Sequence, residues 1–216
     1  MRILVFAPHN DDEVLGVGGT IAKYSKQGGE VFVCEVTSSS NSELCNLIKA
    51  EAAQAHRILG VRETIFLDLP VVALKQVPAA ELNKKILDVV EKIKPEIVFI
   101  PHRGDIHTDH HEVSRSTMVA LRPHLNPQLK TIYAYETLSE TEWDIPSSEN
   151  AFIPNVWSDI SDTIDIKLEA MKCYKSQLKE YPHPRSLDAI IALSKVRGST
   201  ICVHSAEAFM PIRSII

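Results

Sequence analysis

The 216-residue sequence lacks the features that mark secreted, membrane-spanning and nucleic-acid-binding proteins. No apolar run is long enough to span a bilayer, and the first residues resemble a strand instead of the apolar core of a signal peptide. The four cysteines are scattered without a Cys-x-x-Cys pair, which argues against a disulfide framework. A net charge of −5 without a basic cluster disfavours a nucleic-acid partner. We therefore expect a cytoplasmic protein with no membrane span.

The chain also lacks internal repeats and low-complexity segments, and its length suits a single domain over residues 1–216. Short apolar runs alternate with helical patterns as far as residue 136. This alternation is typical of βαβ units. It predicts an α/β fold with a Rossmann-like, mainly parallel sheet of strand order 3-2-1-4-5, flanked by helices.

The segment after residue 136 is less regular. Its apolar spacing predicts a strand at 156–160, a long amphipathic helix over 162–179 and another helix over 186–197. The apolar C-terminal tail is compatible with a homo-oligomer, but the sequence does not fix the oligomeric state.

Charge is concentrated directly after the first predicted strand, residues 2–7. His9, Asp11, Asp12 and Glu13 place one imidazole and three carboxylates at the carboxyl end of that strand. Carboxylates this close repel one another unless a cation neutralises them. By itself the run fits two interpretations equally well, a metal site or a solvated acidic turn that begins the next helix.

A second polar cluster follows the fourth predicted strand, residues 96–100. It contains His107, Asp109 and His110. Strands one and four are neighbours in the predicted order, and ligands of such sheets bind at the carboxyl ends of the strands. The topology therefore brings the two clusters face to face, which favours a metal site over an acidic turn.

The ligand chemistry fits a catalytic metal. His9, Asp12 and a histidine of the second loop supply two imidazoles and one carboxylate, which suits Zn²⁺ and also Fe²⁺ or Co²⁺. His110 reaches the metal if the following helix begins just before it. Asp11 then lies beside the metal water without binding the metal, and it accepts a proton from that water.

The remaining polar residues of the two clusters have alternative roles. His107 stays in the loop, where it contacts a substrate carbonyl oxygen. Asp109 either hydrogen-bonds His107 and keeps it protonated, or caps the following helix. Glu13 either orients a ligand or stabilises the positive end of the next helix. His102 and His111 are interpreted as bystanders.

The paired motifs resemble those of the PIG-L (LmbE-like) family of zinc-dependent N-acetyl-sugar deacetylases. That family has Ala-His-Pro-Asp-Asp-Glu after its first strand and His-x-Asp-His later. This chain has His9-Asn10-Asp11-Asp12-Glu13 and His107-Thr108-Asp109-His110. Segments around Trp157, Tyr174 and Phe209 are similar to the family's tail, so the resemblance covers most of the chain.

The resemblance implies a hydrolase that removes the N-acetyl group from an N-acetylglucosamine-like sugar or glycoconjugate. It implies that Zn²⁺ is bound by His9, Asp12 and His110. Asp11 would be the general base that activates the zinc-bound water. His107 would steady the oxyanion, with Asp109 tuning it.

Two departures from the family pattern stand out. Asn10 replaces a proline, and the helix after the serine loop reads Leu47-Ile48-Lys49 where many members carry a substrate-binding arginine.

The alternative hypothesis is a nucleotide- or sugar-binding Rossmann-like protein without hydrolase activity. It has weak support, because the glycines of Gly16-Val17-Gly18-Gly19 come too late for a Gly-x-Gly-x-x-Gly motif.

Overall fold

Seven strands form one mixed sheet, in the order β3-β2-β1-β4-β5-β7-β6, in a computed structural model that describes residues 1–216. The strands are Arg2–Ala7 (β1), Glu30–Ser38 (β2), Glu63–Pro70 (β3), Ile97–Pro101 (β4), Thr131–Tyr135 (β5), Val156–Asp159 (β6) and Ala206–Ser214 (β7). The helices are Asp12–Lys26 (α1), Ser42–Leu59 (α2), Ala79–Ile93 (α3), Thr108–Ala120 (α4), Ile164–Met171 (α5) and Leu187–Ser199 (α6).

The predicted strand order is confirmed for the first five strands. Neighbouring pairs among β1 to β5 are parallel, and β1 lies between β2 and β4. β7 runs antiparallel to both β5 and β6, which makes the sheet mixed at one edge. The carboxyl ends of β1 and β4 are therefore adjacent, as the arrangement of the two polar clusters requires.

The sheet separates two apolar cores, and β1 contributes to both through its alternating side chains. Leu4 and Phe6 belong to the core on the side of α3 and α4. Ile3 and Val5 belong to the core on the side of α1 and α2. All four side chains are buried, so a central parallel strand is covered by helices on both faces.

The glycines of α1 allow close packing against the C-terminal half of the chain. A β-carbon at Gly16 would overlap the ring of Tyr135, and one at Gly19 would lie 2.7 Å from the side chain of Ile160. These glycines therefore serve contact between the helix and its neighbours. They do not form a phosphate-binding turn, which removes the motif that suggested a dinucleotide-binding protein.

A buried ion pair ties the last strand to the first helix. Glu207 accepts hydrogen bonds from the backbone amides of Gly19 (2.9 Å) and Thr20 (2.8 Å) within α1. Lys167 donates to Glu207 Oε1 at 2.7 Å and to the carbonyl of Leu15 at 2.7 Å. Both charged side chains are almost fully buried. Several hydrogen bonds satisfy the pair, which is the condition for tolerating charges in a core.

A second buried ionic cluster joins α1, β2 and α2. His56 Nε2 lies 3.1 Å from Glu13 Oε1 and 3.4 Å from Glu35 Oε1. The Tyr174 hydroxyl donates to Glu13 Oε1 at 2.6 Å, and the backbone amide of Asp11 donates to Glu13 Oε2 at 3.1 Å. Glu13 therefore holds the backbone of the polar stretch after β1 in place, and His56 provides its counter-charge.

The charges of this cluster follow from its burial. Burial alone would lower the pKa of His56, but hydrogen bonds to Glu13 and Glu35 outweigh it and raise the pKa to about 9. Burial, reinforced by the charge of Glu13, raises the pKa of Glu35 well above its ordinary value. The imidazole is therefore cationic at neutral pH and pairs with Glu13.

The predicted helix over 162–179 is wrong beyond residue 171. α5 ends at Met171, and the chain then turns so that the hydroxyl of Tyr174 reaches Glu13. The amide and hydroxyl of Ser176 donate to the carboxylate of Glu51 at 3.1 and 2.6 Å. These tertiary hydrogen bonds outweigh the helical preference of the segment. The strand and the second helix predicted in this tail are present as β6 and α6.

The structure shows the state of the cysteines and the character of the helices. All four cysteines are free, and Cys34 is buried in the core as its apolar neighbours predict. None of the six helices combines the length and the apolar character needed to cross a membrane.

We expect Glu207→Ala to lower the free energy of unfolding by about 3–5 kcal/mol, because it leaves Lys167 buried without its partner. Urea denaturation measures this loss. Lys130→Ala is the matched control: Lys130 is 64% exposed in its ion pair with Glu96, and its removal should cost less than about 1 kcal/mol. Equal losses in the two variants would contradict the assigned role of the buried pair.

A second prediction concerns the pH dependence of stability. The pKa of His56 is about 9 in the folded protein and about 6.5 in an unfolded chain. The stabilisation that charged His56 gives to the folded protein is therefore complete below about pH 6.5. It is lost as the pH rises through about 9. His56→Gln cannot titrate, so the decline over this range should shrink by an amount on the order of 2 kcal/mol. Urea denaturation of both proteins at several pH values tests this, and parallel pH profiles would refute it.

Candidate metal centre

Three side chains from two distant segments converge at the carboxyl ends of β1 and β4. His9 Nδ1 lies 3.3 Å from Asp12 Oδ2, and His110 Nε2 lies 3.1 Å from the same oxygen. The two imidazole nitrogens are 3.4 Å apart. The sequence predicted this convergence from the strand order, and the structure shows it.

Local structure explains why these side chains point to one centre. His9 lies in the turn that follows β1, and its backbone amide donates to Asp12 Oδ2 at 2.9 Å. Asp12 is the first residue of α1. α4 begins at Thr108, so His110 lies in the first turn of that helix, as expected.

The donor set fits a divalent cation. Ligands about 2.0–2.2 Å from a tetrahedral ion are about 3.3–3.6 Å apart, which is close to the spacing of these three atoms. Asp12 Oδ1 is buried without a hydrogen-bond partner, so part of this carboxylate remains uncompensated by the protein. Two imidazoles and one carboxylate suit Zn²⁺, Fe²⁺ or Co²⁺. The residues present could therefore hold such an ion.

Two further carboxylates orient the histidines. His110 Nδ1 donates to Asp105 Oδ2 at 2.8 Å, and Asp105 Oδ1 accepts the hydroxyl of Thr141 at 2.6 Å. His9 Nε2 donates to Asp109 Oδ2 at 3.2 Å. A carboxylate outside the centre fixes the ring and the tautomer of a metal-binding histidine. Each imidazole thereby presents its other nitrogen to the shared centre.

The electrostatics of the centre favour positive charge. Burial would lower the pKa of His110, but the charge of Asp12 and the hydrogen bond to Asp105 raise it to about 10. The same opposition raises the pKa of His9 to about 9, with Asp109 and Asp12 as the raising groups. The histidines keep the pKa of Asp12 well below its ordinary value, although burial acts against them. The carboxylates around the two imidazoles thus favour a positive charge at their shared centre.

Asp109 has neither of the two roles expected from the sequence. Besides His9, its carboxylate accepts the backbone amides of Val72 (2.6 Å) and Leu74 (3.2 Å), which come from the loop after β3. His107, not Asp109, is the N-cap of α4, and its Nδ1 accepts the Asp109 amide at 3.1 Å. The expected hydrogen bond between the two side chains is absent. Burial and the neighbouring imidazoles lower the pKa of His107 to about 4, which favours the neutral form of its ring.

Asp11 lies beside the three converging side chains and is 1% exposed. Its backbone has a φ of 137°, a conformation that L residues rarely adopt and that the hydrogen bond to Glu13 helps to hold. Burial and then the charge of Asp12 raise the pKa of Asp11 to about 8, while Arg185 acts in the opposite direction. A carboxyl group with such a pKa can take and return a proton near neutral pH.

Sequence reasoning missed two residues of this centre. Arg185 Nη1 lies 3.4 Å from Asp11 Oδ2, while its other nitrogens donate to Ser139 Oγ (2.6 Å) and Glu140 Oε1 (2.8 Å). No local pattern marks Arg185, which follows a proline-containing turn far along the chain. Asp105 had a usable signal, because it lies in the histidine-rich loop and ligating histidines need an acceptor for their second nitrogen.

A cavity of about 280 Å³ opens beside the centre. Its lining includes His9, His107, Asn10, Gln177 and Arg185. A second cavity of about 440 Å³ lies between the segment after β5 and α6, and its lining includes neither the three converging side chains nor Asp11. The smaller cavity is therefore the one that gives a small molecule access to the centre.

Comparison with known proteins places this geometry in a family. The PIG-L family, described as GlcNAc-PI de-N-acetylase, matches residues 4–121 of the chain. The diacetylchitobiose deacetylase of Thermococcus kodakarensis is 27% identical over 210 residues, which cover 83% of this chain and 71% of that protein.

Solved structures share the fold over almost the whole chain. The conserved protein TT1542 from Thermus thermophilus superposes with a TM-score of 0.80 at 28% identity, covering 99% of this chain and 96% of that one. GalB, the 4-carboxy-2-hydroxymuconate hydratase of Pseudomonas putida, also gives a TM-score of 0.80, at 18% identity, covering 100% of this chain and 97% of that one. The second likeness shows the fold alone. The family match spans more than half of the chain and includes both motifs at the converging side chains, so the chain belongs to the PIG-L (LmbE-like) family of deacetylases.

Proposed function

We propose that this chain is a metal-dependent hydrolase that removes the N-acetyl group from an N-acetylglucosamine-like sugar or conjugate. The observation that carries the proposal is the convergence of His9, Asp12 and His110 beside a cavity, with the buried carboxyl group of Asp11 next to them. The family description and the name of the Thermococcus kodakarensis relative both refer to deacetylation, which supports this choice of reaction.

His9, Asp12 and His110 would hold the ion, for which we propose Zn²⁺. When bound, such an ion polarises an acetamide carbonyl and lowers the pKa of a water toward ~7. Asp105 and Asp109 keep the two imidazoles oriented through the hydrogen bonds already described. These two aspartates act through the histidines that they orient.

Asp11 serves as the proton carrier of the proposed reaction. It accepts a proton from the attacking water as the new C–O bond forms at the acetyl carbon. It then returns that proton to the amide nitrogen as the C–N bond breaks, so the products are acetate and the free amine. The Arg185 guanidinium near the Asp11 carboxylate holds this side chain in position.

His107 stabilises the oxyanion that develops on the acetyl oxygen. Its Nδ1 accepts the Asp109 amide, so the ring proton is on Nε2. A neutral imidazole in this form donates one hydrogen bond, and one such donor contributes about 3–4 kcal/mol of transition-state stabilisation in other enzymes. The proposed role of His107 therefore does not require a positive charge on its ring.

The protein should release acetate from N-acetylglucosamine derivatives, a chelator should stop the release, and Zn²⁺ should restore it.

His110→Ala removes one of the three converging donors, so its bound metal should fall to near background in elemental analysis. His111→Ala is the matched control: His111 is the adjacent histidine, and its ring hydrogen-bonds the backbone carbonyl of Asp105 and none of the three converging side chains. Metal content in His110→Ala equal to that of the control would refute the ligand assignment.

Asp11→Asn should keep the metal and lose activity by ~10²–10⁴-fold, because an amide of the same shape cannot take up the proton. Acetate release gives kcat, and elemental analysis of the same preparation shows that the metal is retained. Turnover at the wild-type rate would remove Asp11 from the mechanism.

A further inference from the structure

The cavity beside the metal centre has one apolar wall. Leu44 and Ile48 of α2 and Val71 of the loop after β3 line this wall. Leu44 and Ile48 are four residues apart and so share one face of the helix. Leu44 is 41% exposed and Val71 is 37% exposed, so the wall is accessible at the mouth of the cavity.

The lining of this cavity offers no unpaired lysine or arginine. Arg185 is the single lysine or arginine in the lining, and Glu140 and Asp11 bind its guanidinium at 2.8 and 3.4 Å. Lys49, next to Ile48 on α2, forms an ion pair with Asp68 at 2.5 Å. Away from the proposed metal ion, a phosphate or carboxylate on the substrate would therefore lose its hydration without gaining a free lysine or arginine as partner.

Asn10 is a neutral polar residue of the cavity lining. The residue is 8% exposed, and its Nδ2 is buried without a hydrogen-bond partner in the protein. A buried amide without a partner costs free energy, and a rotation of this side chain toward the cavity would let a ligand oxygen recover it. The available polar contact thus suits an uncharged oxygen such as a hydroxyl or a carbonyl.

We propose that the substrate is an uncharged N-acetylated amino sugar whose aglycone is apolar and packs on Leu44, Ile48 and Val71. This inference rests on the proposed deacetylase function and specifies its substrate class. A cavity of about 280 Å³ is at the small end of ligand sites. The sugar occupies it, and the aglycone lies at the mouth, where the apolar wall is exposed. The removed acetyl group is too small to account for that wall, so the apolar substituent belongs to the amino sugar.

A series of alkyl glycosides of N-acetylglucosamine tests the proposal, with methyl, butyl and octyl aglycones used below their micelle concentrations. The value of kcat/KM should rise roughly two- to fourfold for each methylene that the wall buries. N-acetylglucosamine 1-phosphate should be a poorer substrate than the methyl glycoside. Equal kcat/KM values across the alkyl glycosides, or a higher kcat/KM for N-acetylglucosamine 1-phosphate than for the methyl glycoside, would overturn the proposal.

Variants of α2 locate the effect. Ile48→Ala should weaken the rise with chain length, and Ile48→Arg should remove it and improve turnover of the phosphate. Leu47→Ala is the matched control, because Leu47 is an exposed residue of the same helix outside the cavity lining. Leu47→Ala should keep the full rise of kcat/KM with alkyl chain length. A loss of the chain-length effect in the control equal to that in Ile48→Ala would place the effect outside the cavity and refute the inference.

Binding to the Asp11→Asn variant separates this inference from the proposed function. Calorimetry on the metal-loaded variant should show the octyl glycoside binding at least ~10-fold more tightly than the methyl glycoside. Tighter octyl binding supports the apolar subsite even if the wild-type protein releases no acetate, a result that would refute the deacetylase. Equal binding of the two glycosides overturns the subsite even if the wild-type protein deacetylates both.

Discussion

Three consecutive buried carboxylates at the end of β1 are the constraint on which the rest of the structure depends. Asp11, Asp12 and Glu13 are each at most 1% exposed. An ionised carboxylate in a protein interior costs several kcal/mol unless partners compensate it. The compensating groups come from separate parts of the chain: His9 and His110 for Asp12, Arg185 for Asp11, and His56 and Tyr174 for Glu13. The sheet, α2, α4 and the C-terminal segment must therefore all be in place before this stretch can be buried.

The partners stabilise the three carboxylates to different degrees, so the three groups differ in their chemistry. The pKa of Asp12 is held well below its ordinary value, whereas burial and its neighbours raise the pKa of Asp11 to about 8. Adjacent acids whose environments drive their pKa values apart are typical of sites that need one fixed charge and one proton carrier. Glu13 is satisfied by the groups around it and supports the strained backbone of Asp11. A run of three similar residues thereby supplies a proposed ligand, a proposed base and a structural support.

The sequence predicted the parts of this arrangement that follow from local pattern and chain topology. Alternating apolar periods indicated β1 to β5, and their expected order placed His9 and His110 on neighbouring strand ends. The errors and omissions arise where distant residues compete with local preference. The helix after Met171 gives way to hydrogen bonds from Tyr174 and Ser176, and the Asp109 carboxylate binds amides from a loop over 30 residues earlier. No local signal encodes such contacts.

The likeness to GalB shows that this fold hosts a protein named for hydration as well as proteins named for deacetylation, so the sheet by itself does not select a reaction. In this chain the convergence of His9, Asp12 and His110 depends on the ends of β1 and β4. The apolar wall depends on α2 and on the loop after β3, both at the rim. A surface loop such as the one after β3 tolerates change better than the strands that support it.

One connection joins the rim to the centre. The residues that follow Val71 donate the backbone amides of Val72 and Leu74 to Asp109, and Asp109 orients His9. Val72 has a φ of 63°, an unfavourable conformation for a β-branched residue, so its amide is held toward Asp109 at a cost in backbone energy. A ligand that packs on Val71 as proposed would therefore act on a loop that also fixes the His9 imidazole. The mouth of the cavity and the geometry of the three converging side chains are in this way physically linked through a single short loop.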